Sequence, residues 1–290
     1  MDGYARDMWT PADGGAPVVL AEDRYRILAS ARREILSIAV SPDRPEVQHL
    51  VGVRAGGESR AALTQIMANE RIKGSPLYLI LDDFAGASLV AGWVWSRWVD
   101  DWGAMAQKAG LTKTAGRGGN MEGVCSGFAA GSSALLRSGP SKDQSSAVVP
   151  SLLNPADPDG WHTLGVQEGV GMRRARRIDV WQDGDGLMID VGFQDSGTSP
   201  VGGDRIAIHE YHVTARATDG ILADLKVDAR ILPFRECPGA VAHAQRMLGT
   251  PLGELRAKVL ETLPGTLGCT HLNDVIRSMA EVPQLAVLLR

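Results

Sequence analysis

The sequence predicts an α+β protein with two pseudo-symmetric repeats, each an antiparallel sheet of hairpins followed by helices. Two observations support this. Segments in which apolar and polar residues alternate, as in strands, precede segments with helical spacing in both halves of the chain, which is the order typical of α+β proteins. Several segments of the first half also resemble segments of the second half in the same order.

The resembling segments share apolar and charged positions. They pair residues 6–14 with 178–186, 33–40 with 219–227, 49–63 with 246–260, and 74–91 with 265–282. The last pair matches LDD to LND and places Tyr78 opposite Cys269. We therefore predict an N-terminal unit over 1–102 and a C-terminal unit over 173–290. The connecting segment 103–172 is rich in Gly, Ser and Pro, with a short helix in CSGFAAGSSALL.

The strands and helices follow from local patterns. RRIDVWQDGDGLMIDVGFQD alternates around an Asp-Gly-Asp-Gly turn and predicts a hairpin, and Thr218-Asp219-Gly220 predicts the next one. PGAVAHAQRMLG and PLGELRAKVLETL have helical spacing, begin near prolines and are punctuated by glycines. Another helix begins at the Cys-Thr-His motif of 269–271.

The last helix of the first unit is expected from about Asp82 to Trp102. Asp82 and Asp83 at its start would favour the helix dipole. Trp95, Trp98 and Trp102 would share one face at spacings of three and four. That stripe is either a core or interface surface or an aromatic wall for an apolar ligand.

Composition and charge restrict the classes of molecule that the protein is expected to bind. A net charge of −4 and a pI near 5.9 argue against nucleic acid, which needs a concentrated basic face. No uninterrupted apolar run reaches the roughly 18–20 residues of a membrane span, and the polar start MDGYARDMW does not resemble a secretory signal. Three cysteines fit a reducing compartment better than a disulfide framework. These features predict a cytoplasmic protein that binds a small molecule, with a homodimer possible.

The segments HEYHV, LPFRECPGAV, LGTPLGELRAKV and GCTHLND resemble the bacterial domain-of-unknown-function family number 2889, in its long, internally duplicated form. The resemblance is best from about Arg173 to Leu289 and implies no activity. It does imply a set of positions of interest: Arg176, Arg177, Asp179, His209, Glu210, Cys237, Cys269 and His271.

Acid–base chemistry is the favoured use of these residues. His209, Glu210 and Tyr211 lie on one strand, and an imidazole with a carboxylate partner can shuttle protons. If the C-terminal helix docks on that sheet, His271 would meet this strand, with Asp274 as another carboxylate. A structural histidine that only caps the helix is the alternative.

A metal site is not predicted. Zinc ligand types occur at four positions, His209, Cys237, Cys269 and His271, but Cys269-x-His271 is tighter than the usual ligand spacing.

Cys269 as a nucleophile at a helix N-terminus is a further alternative. Cys125 in GVCSG has no preceding strand and is expected to pack. The stretch GRGGN lacks the spacing of a phosphate loop, so no cofactor is expected.

We therefore expect a cofactor-independent lyase that uses acid–base chemistry for elimination or C–C cleavage. Its expected substrate is a small apolar molecule, and an aromatic one is favoured. A non-catalytic ligand-binding or assembly protein is the alternative, and a zinc-dependent enzyme is the third. The candidate catalytic residues are His271, His209, Glu210, Tyr211 and Asp274. The candidate substrate-binding residues are Arg176, Arg177, Cys269, Asn273, Tyr78 and Trp95. The arginines could instead form a solvated or salt-bridged strand edge.

Overall fold

Strands precede helices in both halves of the chain. The computed structural model describes residues 1–108, 110, 121–135, 147–162, 165–201 and 205–289. The strands are β1 Asp2–Trp9, β2 Val18–Ala29, β3 Ile35–Ser41, β4 Ala147–Val148, β5 Gly171–Asp183, β6 Gly186–Thr198, β7 Ile206–Thr218 and β8 Ile221–Ile231. The α-helices are α1 Gly57–Ile66, α2 Ala68–Lys73, α3 Pro76–Trp98, α4 Trp102–Lys108, α5 Gly239–Ala244, α6 Leu255–Thr262, α7 Thr270–Ser278 and α8 Val282–Val287.

The first half forms a three-stranded antiparallel sheet in the order β1-β2-β3. The strand β2 alternates buried Tyr25 and Ile27 with exposed Arg24 and Arg26, as a strand with one covered face should. The covered face packs against α1 and α3 in a core that includes Leu77 and other apolar residues.

The second half forms an antiparallel meander of β5, β6, β7 and β8, and the two-residue β4 pairs with the start of β7. Both predicted hairpins are confirmed: Asp183 pairs with Gly186, and Thr218 pairs with Ile221. In the second turn Asp219 and Gly220 both have positive φ, 52° and 74°, the conformation for which Asp-Gly is favoured. The helices α5 to α7 cover this sheet in one large apolar core.

The helix α3 differs from the prediction. It begins at Pro76 rather than Asp82, because Ser75 caps it by accepting a hydrogen bond from the Tyr78 backbone N–H and proline suits the first turn. It ends at Trp98, and Trp102 starts α4 instead. Asp82 and Asp83 therefore lie inside the helix and not at its start, so the dipole argument for them was wrong.

This helix is also long and apolar enough, by length and composition, to cross a membrane. Its most apolar 18-residue window has a mean hydropathy of 1.4. However, 56% of that window is buried inside the protein, as in a core helix. It packs against both sheets, contacting β1 and β2 on one side and β5 and β6 on the other. The helix is therefore weak evidence for a membrane span.

The structure matches the predicted repeat in the order of strands before helices, but the two sheets differ in their number of strands. One sheet has three strands and the other has four long strands, so the pseudo-symmetric pairing of the halves stays a prediction. The predicted short helix in the connecting segment is a single 3₁₀ turn, Ser126–Phe128, within residues 121–135. The glycine-rich stretch 113–120 and residues 136–146 lie outside the described residues.

A buried group of ion pairs joins the two halves. Asp82 of α3 accepts hydrogen bonds from Arg277 at 2.8 Å and from Arg256 at 2.5 Å, while Arg60 of α1 reaches across to Asp274 of α7. Burial alone would raise the pKa of Asp82, but the charges of these arginines outweigh it and lower the pKa. Each half thus contributes both signs of charge to the contact.

We expect Asp82→Asn to lower the free energy of unfolding by about 3–5 kcal/mol, because it removes the buried carboxylate that pairs with Arg277 and one of the two that pair with Arg256. The matched control is Asp228→Asn, since Asp228 pairs with Arg230 on the surface, where an ion pair contributes about 0–1 kcal/mol. Urea unfolding measures both. Equal losses in the two variants would contradict the assignment.

Asp7 makes the stability dependent on pH. Burial, together with the charges of Glu281 and Asp23, raises the pKa of Asp7 from 3.8 to about 7. The folded protein therefore keeps a proton that the unfolded chain has released, so stability falls as the pH rises between these two values. Asp7→Asn stays neutral and should be more stable than the wild type at about pH 8, with little difference at about pH 3.

Thermal melting across this pH range checks the prediction, with the exposed Asp43→Asn as control. A stability profile for Asp7→Asn that runs parallel to the wild type would show that Asp7 does not carry the effect.

Candidate functional site

Two buried polar residues meet as neighbours in the larger sheet. Asp195 of β6 lies directly opposite His209 of β7, and Phe193 lies opposite Tyr211 on the same face. Residues paired in this way bring their side chains together across adjacent strands. A register irregularity follows Asp195. The face carries an apolar core along the rest of its length, so Asp195 and His209 form a polar end to that core.

His271 completes the group from the helix α7. Cys269 has extended backbone geometry and caps the helix, which places His271 in its first turn. The ring of His271 stacks on that of His209, with centroids 3.4 Å apart and planes at 16°. The His271 Nε2 atom lies 3.6 Å from Asp195 Oδ2. Asp195, His209 and His271, called the Asp-His-His cluster below, have potential ligand atoms within 4.8 Å of one another.

Two ring nitrogens of the cluster have no hydrogen-bond partner. They are His209 Nδ1 and His271 Nε2, and both are buried. An unsatisfied buried polar atom costs roughly 1–3 kcal/mol, so each calls for an occupant such as a ligand, water or ion. The other nitrogen of His271, Nδ1, is already engaged, 3.3 Å from Thr270 Oγ1. The free Nε2 of His271 therefore faces Asp195, 3.6 Å from its Oδ2.

Both imidazoles are neutral at physiological pH. Burial, assisted by the charge of Arg174, lowers the pKa of His271 to about 3. Burial and the neighbouring His271 lower the pKa of His209 well below its ordinary value. A neutral imidazole can offer a lone pair to a metal or accept a proton, which the protonated ring cannot do.

Arg174 of β5 holds the carboxylate of the cluster. Its Nε and Nη2 each donate a hydrogen bond of 2.8 Å to Asp195, in the forked geometry that suits carboxylates. Its Nη1 donates to Asp274 at 2.8 Å and to Asp83 at 3.3 Å. Both oxygens of Asp195 thus accept from Arg174, and one of them, Oδ2, is the oxygen that lies 3.6 Å from His271 Nε2.

A second hydrogen-bonded pair borders the cluster. The hydroxyl of Tyr211 donates to Cys269 Sγ at 3.3 Å, and that sulfur lies 3.8 Å from His271 Nδ1. Burial raises the pKa of Cys269 to about 11, although the Tyr211 hydrogen bond opposes this, and burial also raises that of Tyr211. The thiol is therefore protonated near neutral pH, which does not favour the nucleophile hypothesis. Cys125, Cys237 and Cys269 are all free and buried.

Several predicted site residues lie away from the cluster. Glu210 points to the opposite face of β7, where it accepts a hydrogen bond from Gln194 at 2.8 Å. Asp274 is bound by Arg60 and Arg174 rather than by His271. Asn273 donates to the backbone oxygen of Leu263. The carboxylate beside the histidines is Asp195, and neither of the two expected ones takes that place.

The predicted substrate-binding arginines are occupied by ion pairs. Arg176 binds Asp83 through two hydrogen bonds of 2.7 and 2.9 Å. Arg177 lies on the other face of β5 and contacts Asp179 and Asp190. Tyr78 is buried in the first core beneath Arg256. Trp95 is 39% exposed, and its ring lies 5.9 Å from that of Trp102.

The sequence interpretation missed Asp195 and Arg174. The two predicted hairpins join β5 to β6 and β7 to β8, so they leave open the register between β6 and β7 that places Asp195 opposite His209. Arg174 lies two residues before Arg176 and therefore on the same face of the strand. The prediction that no metal is bound did not take Asp195 into account.

The cluster has the composition of a divalent transition-metal site. Two imidazoles and one carboxylate leave coordination positions open, and an outer hydrogen bond to the carboxylate is usual in such sites. Within the described residues, Asp195, His209 and His271 are the group whose ligand atoms converge in this way.

Comparison with known proteins gives one match. The model of the family DUF2889, described as a protein of unknown function, matches residues 172–284. This part of the chain is similar to the DUF2889 family. The resemblance noted in the sequence is thereby confirmed for this region. All three members of the cluster, with Arg174 and Asp274, lie in the DUF2889 region, whereas Arg60, Asp82 and Asp83 lie outside it.

No curated protein and no solved structure shows detectable similarity to the chain. The description of DUF2889 carries no activity, so the function is argued from the cluster itself.

Proposed function

We propose that this protein is an enzyme that acts on a small molecule at a divalent transition metal held by Asp195, His209 and His271. The observation that carries the proposal is the pair of buried ring nitrogens without partners, in a group whose potential ligand atoms, an oxygen of Asp195 included, lie within 4.8 Å of one another. Neutral imidazoles favour this use, because no proton has to leave before a metal binds. The three-residue set would leave open positions for substrate or water.

Metal binding requires a local change in the histidine pair. The lone pair of an imidazole nitrogen lies in the ring plane, so a bound metal lies close to the plane of each ligating ring. Two nearly parallel rings stacked 3.4 Å apart have no common point of this kind. At least one ring therefore turns out of the stack when the metal enters.

Charge indicates the kind of substrate. Around the site Arg60, Arg174 and Arg176 face the carboxylates of Asp83, Asp195 and Asp274, so these buried side chains already balance one another. A divalent metal bound by neutral imidazoles adds two positive charges to this group. An anionic oxygen ligand, either hydroxide or a substrate carboxylate, would offset one of these two charges.

The test is metal binding by the full-length chain. Purified apoprotein titrated with Co²⁺ or Zn²⁺ should take up one metal, and Co²⁺ should give visible absorption bands that depend on imidazole ligands. Free metal at a hundredfold excess over Kd should stabilise the fold by about 2.7 kcal/mol. His209→Asn should abolish binding.

The matched control is His212→Asn, which lies on the opposite face of the same strand and contacts Asp190 at 2.6 Å. It should retain metal binding. Absence of metal uptake by the wild type, or equal uptake by His209→Asn, would refute the metal proposal.

The second candidate is the metal-free acid–base enzyme, a lyase acting on an apolar, aromatic molecule. The ring stack and the chain from Tyr211 through Cys269 to His271 favour it, because they connect the imidazoles to a hydroxyl without any metal. Glu210 takes no part in this version, since it lies on the other face.

An activity that survives metal removal separates the two candidates. If turnover by the apoprotein equals that of the metal-loaded protein, and His271→Asn lowers it roughly 100-fold or more, the lyase is supported. If chelators abolish turnover and added metal restores it, the metal enzyme is supported. A folded protein that binds neither metal nor small molecules would favour the non-catalytic assembly role.

A further inference from the structure

The metal-site candidate depends on residues outside the DUF2889 region. Arg174, which holds Asp195, is itself 4% exposed and anchored from α3 and α7. Its Nη1 donates to Asp83 of α3 and Asp274 of α7, and its guanidinium lies over the Phe193 ring at 4.8 Å. The orientation of the fork is therefore determined by both halves of the chain.

Gly86 of α3 provides the space for this arrangement. A Cβ atom at position 86 would lie 2.2 Å from Arg174 Nη1 and 2.4 Å from Asp274 Oδ2. Both distances are well below a normal contact, so any other residue would displace the guanidinium or the carboxylate. Gly92, six residues further along the same helix, has no atom within 4 Å of the position that a Cβ would take.

We propose that Asp83 and Gly86 are positioning residues for the Asp-His-His cluster. Asp83 orients Arg174 and Gly86 leaves room for it, and Arg174 then holds both oxygens of Asp195, of which Oδ2 lies 3.6 Å from the free nitrogen of His271. The inference rests on the proposed function, since it concerns the affinity of that same site. The inference goes beyond the proposed function because it makes α3, which lies in the half outside the family match, part of the site.

The chemical reason is the outer hydrogen bond. A ligating carboxylate that is free to rotate loses affinity for its metal, and loss of outer-shell partners typically weakens binding about 10–100-fold. Displacing Arg174 also leaves Asp195 as a buried carboxylate without its counter-charge. The Asp195 side chain would then turn toward any other hydrogen-bond donor nearby.

The experiment is a Co²⁺ titration of the full chain, comparing wild type, Gly86→Ala, Asp83→Asn and the matched control Gly92→Ala. We expect Gly86→Ala and Asp83→Asn to bind Co²⁺ about 10–100-fold more weakly, with altered visible bands. Gly92→Ala should bind as the wild type does. Far-UV circular dichroism and melting of the apoproteins establish that each variant is folded.

Should Gly86→Ala fail to fold, Asp83→Asn, which adds no atoms near the fork, decides the matter. Wild-type affinity and spectrum in folded Asp83→Asn or folded Gly86→Ala would overturn the positioning role while leaving the metal proposal intact. A wild type that binds no Co²⁺ would overturn both.

Discussion

The forked contact between Arg174 and Asp195 is the interaction on which the rest of the structure around the site depends. A carboxylate at the end of an apolar sheet face can remain there only with a counter-charge, because desolvation of an unpaired charge is too costly. Arg174 supplies that charge from the neighbouring strand, and its remaining donor extends to Asp83 and Asp274. The same contact thus fixes the cluster and ties α3 to it.

Buried arginine–aspartate ion pairs also form the contact between the two halves. Reciprocal Arg–Asp pairs connect α1 and α3 with α6 and α7, and they are largely buried. Buried ion pairs contribute less net stability than well-packed apolar residues would, but they tolerate only one arrangement. The long helix α3 contributes Asp82 to this contact, and it packs into the core of the first half with Leu77 and against Ile208 of β7 with Val90 and Val94. Its placement therefore determines where the first half meets the sheet of the second.

The chemistry of the cluster is limited by burial. The histidines are neutral because water is excluded, and the same exclusion leaves two of their nitrogens without hydrogen bonds. These two properties make the group suitable for a ligand that brings charge with it, such as a metal with an anion. The adjacent Tyr211 and Cys269, both protonated near neutral pH, form a polar border without adding a charge.

The sequence by itself determined the order of strands and helices and both hairpins of the second half. These follow from local signals: alternation, Asp-Gly turns and a helix that begins at Cys-Thr-His. Only the tertiary structure decided that His271 stacks on His209, that Asp195 is the carboxylate beside them, and that α3 packs against both sheets. Asp195 and Arg174 come together through strand register and burial, which depend on contacts far apart in the chain. Glu210, adjacent to His209 in sequence, faces the opposite side because strand side chains alternate.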